Sequence, residues 1–330
     1  MNVLPDDLIA QARDGGHIGM RAGARLMTLL ENDPEKQAEF LRKTGFPSGP
    51  RLVLGITGAP GCGKSTLVDA LLAAFRSLHP DARIGVIAID PSSPFTGGAI
   101  LADRVRMMRH AEDPAIFVRS MASRGHLGGL ALGVGGVLSV MAWMGFDIVL
   151  IETVGVGQSE VDIVRTADEV AVVLAPGNGD SLQLLKAGLM EIGGLIVVNK
   201  ADKDGAEALR DGVHAMLELA DTTRHREVLL VSATENRGVT ELASRFESLG
   251  SANSHRRSAE TRREKARQLL LQLATRRLEH SLENHPRIRE ELVRRIEDPS
   301  GSWTGLVQDL LAAAATADSI QPSPRKPSHV

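Results

Sequence analysis

The sequence predicts an α/β protein: a mostly parallel sheet flanked by helices, with further helical segments at both ends. Two observations carry that prediction. Short runs of β-branched and aliphatic residues, such as Asp147–Ile151 (D-I-V-L-I), recur between stretches with helical spacing. One of them, Leu52–Ile56, opens into Gly58-Ala59-Pro60-Gly61-Cys62-Gly63-Lys64-Ser65, and helical spacing begins at Thr66. G-x-x-x-x-G-K-[ST] between a strand and a helix is the phosphate-binding P-loop in the context that the motif needs. Glycines let backbone N–H groups curl round a phosphate, and the helix N-terminus adds its positive end. Lys64 then neutralises the β- and γ-phosphates, and the Ser65 hydroxyl takes a place on Mg²⁺. A glycine-rich βα turn without a ligand is the bland alternative. The full motif in full context favours a P-loop NTPase.

Composition narrows the partners. The 330 residues carry a formal net charge of −3, so net charge implies no polyanion partner. Aromatic residues make up 3% with no tyrosine, which argues against a base-stacking nucleic-acid surface. Cys62, the sole cysteine, lies inside the P-loop, so neither a disulfide framework nor a cysteine metal cluster is expected. Residues Met1 to Asp7 include acids and lack an apolar core, and a cytoplasmic, reducing setting is expected. Leu127–Phe146 is uncharged and long enough to suggest a membrane span, but it contains six glycines and sits between predicted strands. It reads as a buried helix with close backbone packing, and no membrane association is expected.

Residues 1–48 read as an N-terminal helical extension packed on the main domain, with Leu26, Leu29 and Leu30 on its apolar face. After the P-loop helix, Arg83–Ile89 is a strand ending at Asp90. The Pro/Gly-rich stretch Asp90–Gly98 then reads as an irregular loop at the strand's carboxyl end, where doubly wound sheets bind ligands. Helix returns near Ile100 and carries Asp103, Arg104, Arg106 and Arg109. Arg106 and Arg109 share a face, either a solvated basic face or one that contacts phosphate or a partner.

Ala115–Val118 is a further short strand. Asp147–Ile151 leads into Glu152-Thr153-Val154-Gly155, a strand-end acid followed by glycine, as in a Walker B region. There the acid orders Mg²⁺ and the Gly155 N–H senses a γ-phosphate. Glu169–Ala175 precedes Pro176-Gly177-Asn178-Gly179-Asp180, whose following helix presents Asp180, Gln183 and Lys186. These are helix-start and surface residues, or part of a nucleotide-responsive loop.

Leu195–Val198 delivers Asn199-Lys200-Ala201-Asp202, and here chemistry selects the base. A carboxylate that accepts from N1–H and the exocyclic amine rewards guanine and rejects adenine. The Lys200 stem would pack on the purine, and Asn199 would tie neighbouring loops together. Glu227–Val231 is the last strand, and the backbone N–H groups of Ser232, Ala233 and Thr234 after it could meet guanine O6. The nucleotide-binding domain is expected to span 49–250. Residues 251–320 read as Arg- and Glu-rich helices with apolar stripes at Leu271, Ala274, Leu278 and Leu282 and at Ile288, Leu292 and Ile296; a short helix with Leu306, Leu310 and Leu311 follows. A symmetric dimer or the parent domain would cover them, the dimer being preferred. Residues 321–330 read as a disordered tail.

Taken together, G-A-P-G-C-G-K-S-T, D-P-S-S-P-F-T-G-G-A-I-L-A-D-R-V-R-M, E-T-V-G-V-G-Q-S-E, P-G-N-G-D and N-K-A-D resemble the MeaB/ArgK GTPases. That family is made up of G-protein chaperones of adenosylcobalamin-dependent methylmalonyl-CoA mutase. The resemblance covers residues 1 to about 315. It implies a SIMIBI-type G domain with a C-terminal helical dimerisation arm, a homodimer binding GTP, GDP and Mg²⁺, and a mutase partner, with cobalamin not bound by this chain itself. It further implies Ser65 as a direct Mg²⁺ ligand, with Asp90, Asp103 and Glu152 around the ion and the attacking water. Switch I corresponds to Asp90–Arg106 and switch II follows Glu152. A third switch at Gly177–Lys186, with Asp180, Gln183 and Lys186, touches the mutase. Val156, not glutamine, follows Gly155, so Asp90 is the preferred water-positioning residue and slow intrinsic turnover is expected. A nickel-delivering metallochaperone GTPase, and less readily a kinase, are the competing readings.

Overall fold

The computed structural model describes residues 3–31, 33–47, 49–91, 110, 112–123, 129–153, 166–177, 194–219, 226–284, 286–297, 300 and 302–316. Three helices come first: α1 (Asp6–Gln11), α2 (Gly16–Leu30) and α3 (Pro34–Thr44). Asp33 caps α3 by accepting from the Glu35 and Lys36 N–H groups, ahead of Pro34 at the first helical position. The sheet region follows with β1 (Leu52–Gly58), α4 (Lys64–Leu78), β2 (Ile84–Pro91) and β3 (Ile116–Ser123). Next come α5 (Gly129–Trp143), β4 (Ile148–Thr153), β5 (Glu169–Leu174), β6 (Leu195–Val198), α6 (Ala206–Leu219) and β7 (Glu227–Leu230).

These seven strands form one sheet in the order β3-β2-β4-β1-β5-β6-β7, and every pairing is parallel. Every residue of β1 and β4 is buried, which is why both read as continuous apolar runs rather than alternating ones. β1 lies between β4 and β5, and the chain proceeds from it to β2 on one side and later to β5 on the other. That reversal opens a crevice at the carboxyl ends of the strands, where ligands of open α/β sheets bind.

Cores form on both faces of the sheet. On one face, Leu67, Leu71 and Phe75 of α4 pack with Leu54, Ile56, Leu150 and Phe246. On the other, Leu26, Met27, Leu30 and Phe40 of the N-terminal helices pack with Val137, Met141, Val53 and Ile151. The N-terminal extension is therefore part of the main core, as its leucine face predicts. Its close partner is α5, the uncharged glycine-rich helix. A Cβ at Gly136 would lie 2.7 Å from Gln37 Nε2 and 3.2 Å from the Leu30 carbonyl, so glycine lets the helices approach there. The Trp143 indole N–H donates to the Ile9 carbonyl at 3.0 Å, its ring meets Phe40 edge-on, and Arg119 pairs with Glu31 at 2.6 Å. Among the described residues, no helix is long and apolar enough to cross a membrane.

Three boundaries differ from expectation. β2 continues through Asp90 and Pro91, which pair with Ala122 and Ser123 of a β3 longer than the four residues expected. Asp90 and Pro91 are thus strand, not loop: the added length of β3 supplies pairing partners that outweigh the turn propensity of D-P. Polar Arg119 and Ser120 interrupt the apolar pattern that would have revealed the length of β3; Arg119 is tolerated through its ion pair with Glu31. β4 ends at Thr153, so Glu152 lies within the strand. Lastly, α7 (Val239–Asn284) is one helix of 46 residues, and Gly250 falls inside it. A Cβ at Gly250 would lie 2.1 Å from Leu52 Cδ1, so this glycine marks close packing on β1 rather than a helix stop.

The chain divides into two compact units, residues 1–265 and 266–330. In the second, α8 (Pro286–Glu297) and α9 (Trp303–Thr316) join through Ile288 and Leu306, with Leu292 and Leu310 against them. Leu271 and Leu282 of the first apolar stripe are 53% and 36% exposed, and Ile296 of the second is 69% exposed.

Candidate guanine nucleotide site

The P-loop leaves β1 at Gly58, whose absent Cβ would lie 2.1 Å from the Val173 carbonyl oxygen of β5. The loop returns at Gly63, left-handed at φ 90°, where a side chain would also strike Asn199 Nδ2 at 2.5 Å. Backbone curvature and lack of space thus demand glycine at both ends. Lys64 opens α4 and is 7% exposed. Its ammonium donates to the carbonyls of Gly58 at 2.8 Å and Ala59 at 2.9 Å, so the buried charge is held inside the loop it belongs to. Pro60 and Gly61 form the exposed crest, and Thr66 is half-buried on the first turn of α4. Cys62 is fully buried; burial pushes its thiol pKa up against the opposing pull of Lys64, so it stays a neutral thiol.

Ser65 and Glu152 come together across 87 residues of chain. The Ser65 hydroxyl donates to Glu152 Oε1 at 2.6 Å, a short bond of the charge-assisted kind. Two oxygen donors side by side at the mouth of the P-loop fit Mg²⁺, which favours hard ligands and completes its shell with phosphate and water. Among the described residues no three His, Cys, Asp or Glu side chains gather into a larger cage. One residue further along both strands, the Thr153 hydroxyl donates to Thr57 Oγ1 at 3.0 Å, with both side chains fully buried. Sequence reasoning missed this pair. The available signal was a hydroxyl at the same place in two otherwise apolar strands.

The base end is assembled from β6 and the turn after β7. Asn199, 2% exposed, is a three-way tie. Its amide donates to the carbonyls of Cys62 at 3.0 Å and Gly63 at 3.3 Å, while its Oδ1 accepts from the Ala233 N–H at 3.2 Å. Lys200 takes a left-handed backbone, φ 58°, and reaches Gly61 O at 2.7 Å, which lays its stem across the P-loop. Ser232 Oγ donates to Asp202 Oδ1 at 2.7 Å and lies 3.3 Å from Thr234 Oγ1. The Ser232 bond, ahead of the Lys203 ammonium 3.4 Å away, holds the Asp202 carboxyl below the usual carboxylate range. At neutral pH Asp202 is therefore an acceptor, as two guanine N–H donors require.

Lys64, Ser65, Glu152, Asn199, Lys200, Asp202 and Ser232–Thr234 thus converge at the carboxyl ends of β1, β4, β6 and β7. The Asp90 side chain, Asp103, Arg104, Arg106, Arg109, Gly155, Asp180, Gln183 and Lys186 lie outside the described residues.

Known proteins are similar to this chain in sequence and in fold. A Pyrococcus abyssi protein provisionally named a GTPase is 50% identical over 243 residues, which cover 72% of this chain and 73% of that protein. The GTPase ArgK of Escherichia coli is 39% identical over 230 residues, 66% of this chain and 69% of that protein. A crystal structure titled LAO/AO transport system kinase superposes with a TM-score of 0.63 at 26% identity, covering 96% of this chain and 100% of that one. The profile of the family described as "Methylmalonyl Co-A mutase-associated GTPase MeaB" matches residues 23–287, from the N-terminal helices to α8. With its P-loop sheet and guanine-type base loop, this chain is a GTPase and belongs to the MeaB family.

Proposed function

We propose that the chain is a nucleotide-controlled chaperone of an adenosylcobalamin-dependent methylmalonyl-CoA mutase, gating cofactor loading and protecting the mutase from inactivation. The family match over residues 23–287 is the observation that carries this reading. Lys64 leaves its two carbonyls to pair with the β- and γ-phosphates. Ser65 and Glu152, with Asp90 and Asp103, hold Mg²⁺, which supplies charge neutralisation at the phosphate oxygens. Asp90 orients the attacking water; a Pγ–O bond forms to it as the bridging Pγ–O bond to GDP breaks, and the water's protons leave with phosphate and solvent. The Gly155 N–H senses the γ-phosphate, and Asp202 reads guanine with the backbone of Ser232–Thr234 beside its O6.

Nucleotide and mutase are then linked. If GTP and GDP change the affinity for the mutase, the mutase changes nucleotide affinity in return. Asp180, Gln183 and Lys186 are the contact through which this coupling passes. Exposed Leu271 and Leu282 support a homodimer built through the C-terminal helices. The setting is the cytoplasm, with cobalamin carried by the mutase rather than by this chain.

GTP hydrolysis measured alone and with the mutase, with ATP as control, tests the proposal. Slow GTP-specific turnover that the mutase accelerates is the expected result. Turnover indifferent to the mutase would leave the site assignments standing and refute the client.

A further inference from the structure

The buried Thr57–Thr153 pair stands out because nothing in the fold requires it. β1 reads L-V-L-G-I-T-G and β4 reads I-V-L-I-E-T; apart from the Glu152 already described, these two threonines are the polar side chains of both strands. Valine would fill the same volume with comparable β propensity and no hydroxyl to satisfy. Both hydroxyls are fully buried and bond to each other at 3.0 Å across 96 residues.

Their position gives the pair its meaning. Parallel register sets Ile56 beside Glu152, which places Thr57 and Thr153 one step further along, at the last residue of β4 and the last but one of β1. Successive side chains on a strand point to opposite faces. Ser65–Glu152 therefore ties β4 to the P-loop helix on one face, and Thr57–Thr153 ties β4 to the root of the P-loop on the other. Thr153 directly follows the carboxylate, and Thr57 directly precedes Gly58, whose carbonyl holds Lys64.

We infer that Thr57 and Thr153 are positioning residues: their hydroxyl bond fixes Glu152 against the P-loop and so sets the spacing at which Ser65 and Glu152 receive Mg²⁺. This rests on the proposed metal-binding role of Ser65 and Glu152. Groups hydrogen-bonded directly to a metal ligand commonly change metal affinity by about ten- to a hundred-fold when removed; this pair acts one residue away from the ligand, so the low end of that range is expected.

Thr153→Val keeps volume and removes the hydroxyl, whereas Thr153→Ser keeps the hydroxyl and removes a methyl. Binding of a fluorescent GDP analogue is titrated in EDTA and across a Mg²⁺ series, for wild type, both variants and Glu152→Gln. We expect Thr153→Val to need about ten-fold more Mg²⁺ for tight binding, with affinity in EDTA unchanged within about two-fold. Thr153→Ser returns the Mg²⁺ requirement to the wild-type value, although it is the variant that opens a cavity. A Mg²⁺ requirement unmoved in Thr153→Val, or moved equally in Thr153→Ser, would overturn the inference. If Glu152→Gln also leaves the Mg²⁺ requirement unmoved, the metal site itself is wrongly assigned. Should Thr153→Val fail to fold, Thr57→Val tests the same bond from the other strand with the same two outcomes.

Discussion

The two ends of the nucleotide site are built in different ways. At the phosphate end, the backbone provides the cradle, and Lys64 and Ser65 are held by groups that a nucleotide and its ion would replace: two carbonyls and a carboxylate. At the base end, side chains hold other side chains and loops. Asn199 binds the P-loop and Ala233 together, Lys200 crosses to Gly61, and Ser232 braces Asp202. Any nucleotide offers phosphates, so the first end needs exchangeable partners. Discrimination of guanine needs a carboxylate that keeps its charge and place before the base arrives.

Variants at the two ends should therefore fail differently. Lys64→Ala removes the cation proposed to pair with the β- and γ-phosphates. Hydrolysis at saturating GTP should fall by about 10²–10³-fold, with guanine preference in binding retained; single-turnover assays and competition by ATP check both. Asn199→Ala strips the tie between the ends and leaves buried carbonyls and an N–H unpaired, a cost of about 2 kcal/mol. Its expected mark is a lower melting temperature together with weaker GDP binding, measured by calorimetry.

Ser232→Ala should act on the base end alone, weakening GDP by about five-fold. It also removes the leading cause of the depressed Asp202 pKa. A carboxyl depressed in the folded protein contributes stability and guanine recognition above its unfolded pKa and loses them as pH falls through the folded value. In the variant, GDP affinity should thus begin to fail at a higher pH than in wild type; coincident pH profiles would contradict the assignment. Smallest of all, iodoacetamide should leave folded wild type unmodified, because Cys62 is a buried neutral thiol. Rapid alkylation in native buffer would show that the P-loop opens more than the packing around it implies.

How much of this was legible follows from the range of each interaction. β6 and the core of β1 are apolar runs between turn signals, and P-loop and N-K-x-D chemistry is written in consecutive residues. The places of Lys64 and Asp202 at the two ends of the site were therefore readable, and so was Asn199 as a tie between loops. What it ties was not, since Cys62 and Gly63 lie 137 and 136 residues away. Thr57–Thr153 is hidden for the same reason, because one threonine in a strand carries no local signal. Asp90 and Pro91 misled in the opposite sense: their turn propensity is genuine, and pairing with β3 overrides it. Gly250, at the expected end of the nucleotide-binding domain, lies inside a helix, and its reason is close packing on Leu52.

Replacing Asp202 by asparagine tests the account most directly, because it changes which base the site reads without removing the side chain. The amide introduced by Asp202→Asn can donate to the C2 carbonyl of xanthine and repels the guanine amine in that orientation. Equilibrium binding of GDP and XDP to wild type and Asp202→Asn is the measurement. Preference should reverse, with GDP weakened by at least about 10²-fold and XDP gaining. Unchanged preference for GDP in Asp202→Asn would contradict the assignment of the base end and of guanine recognition with it.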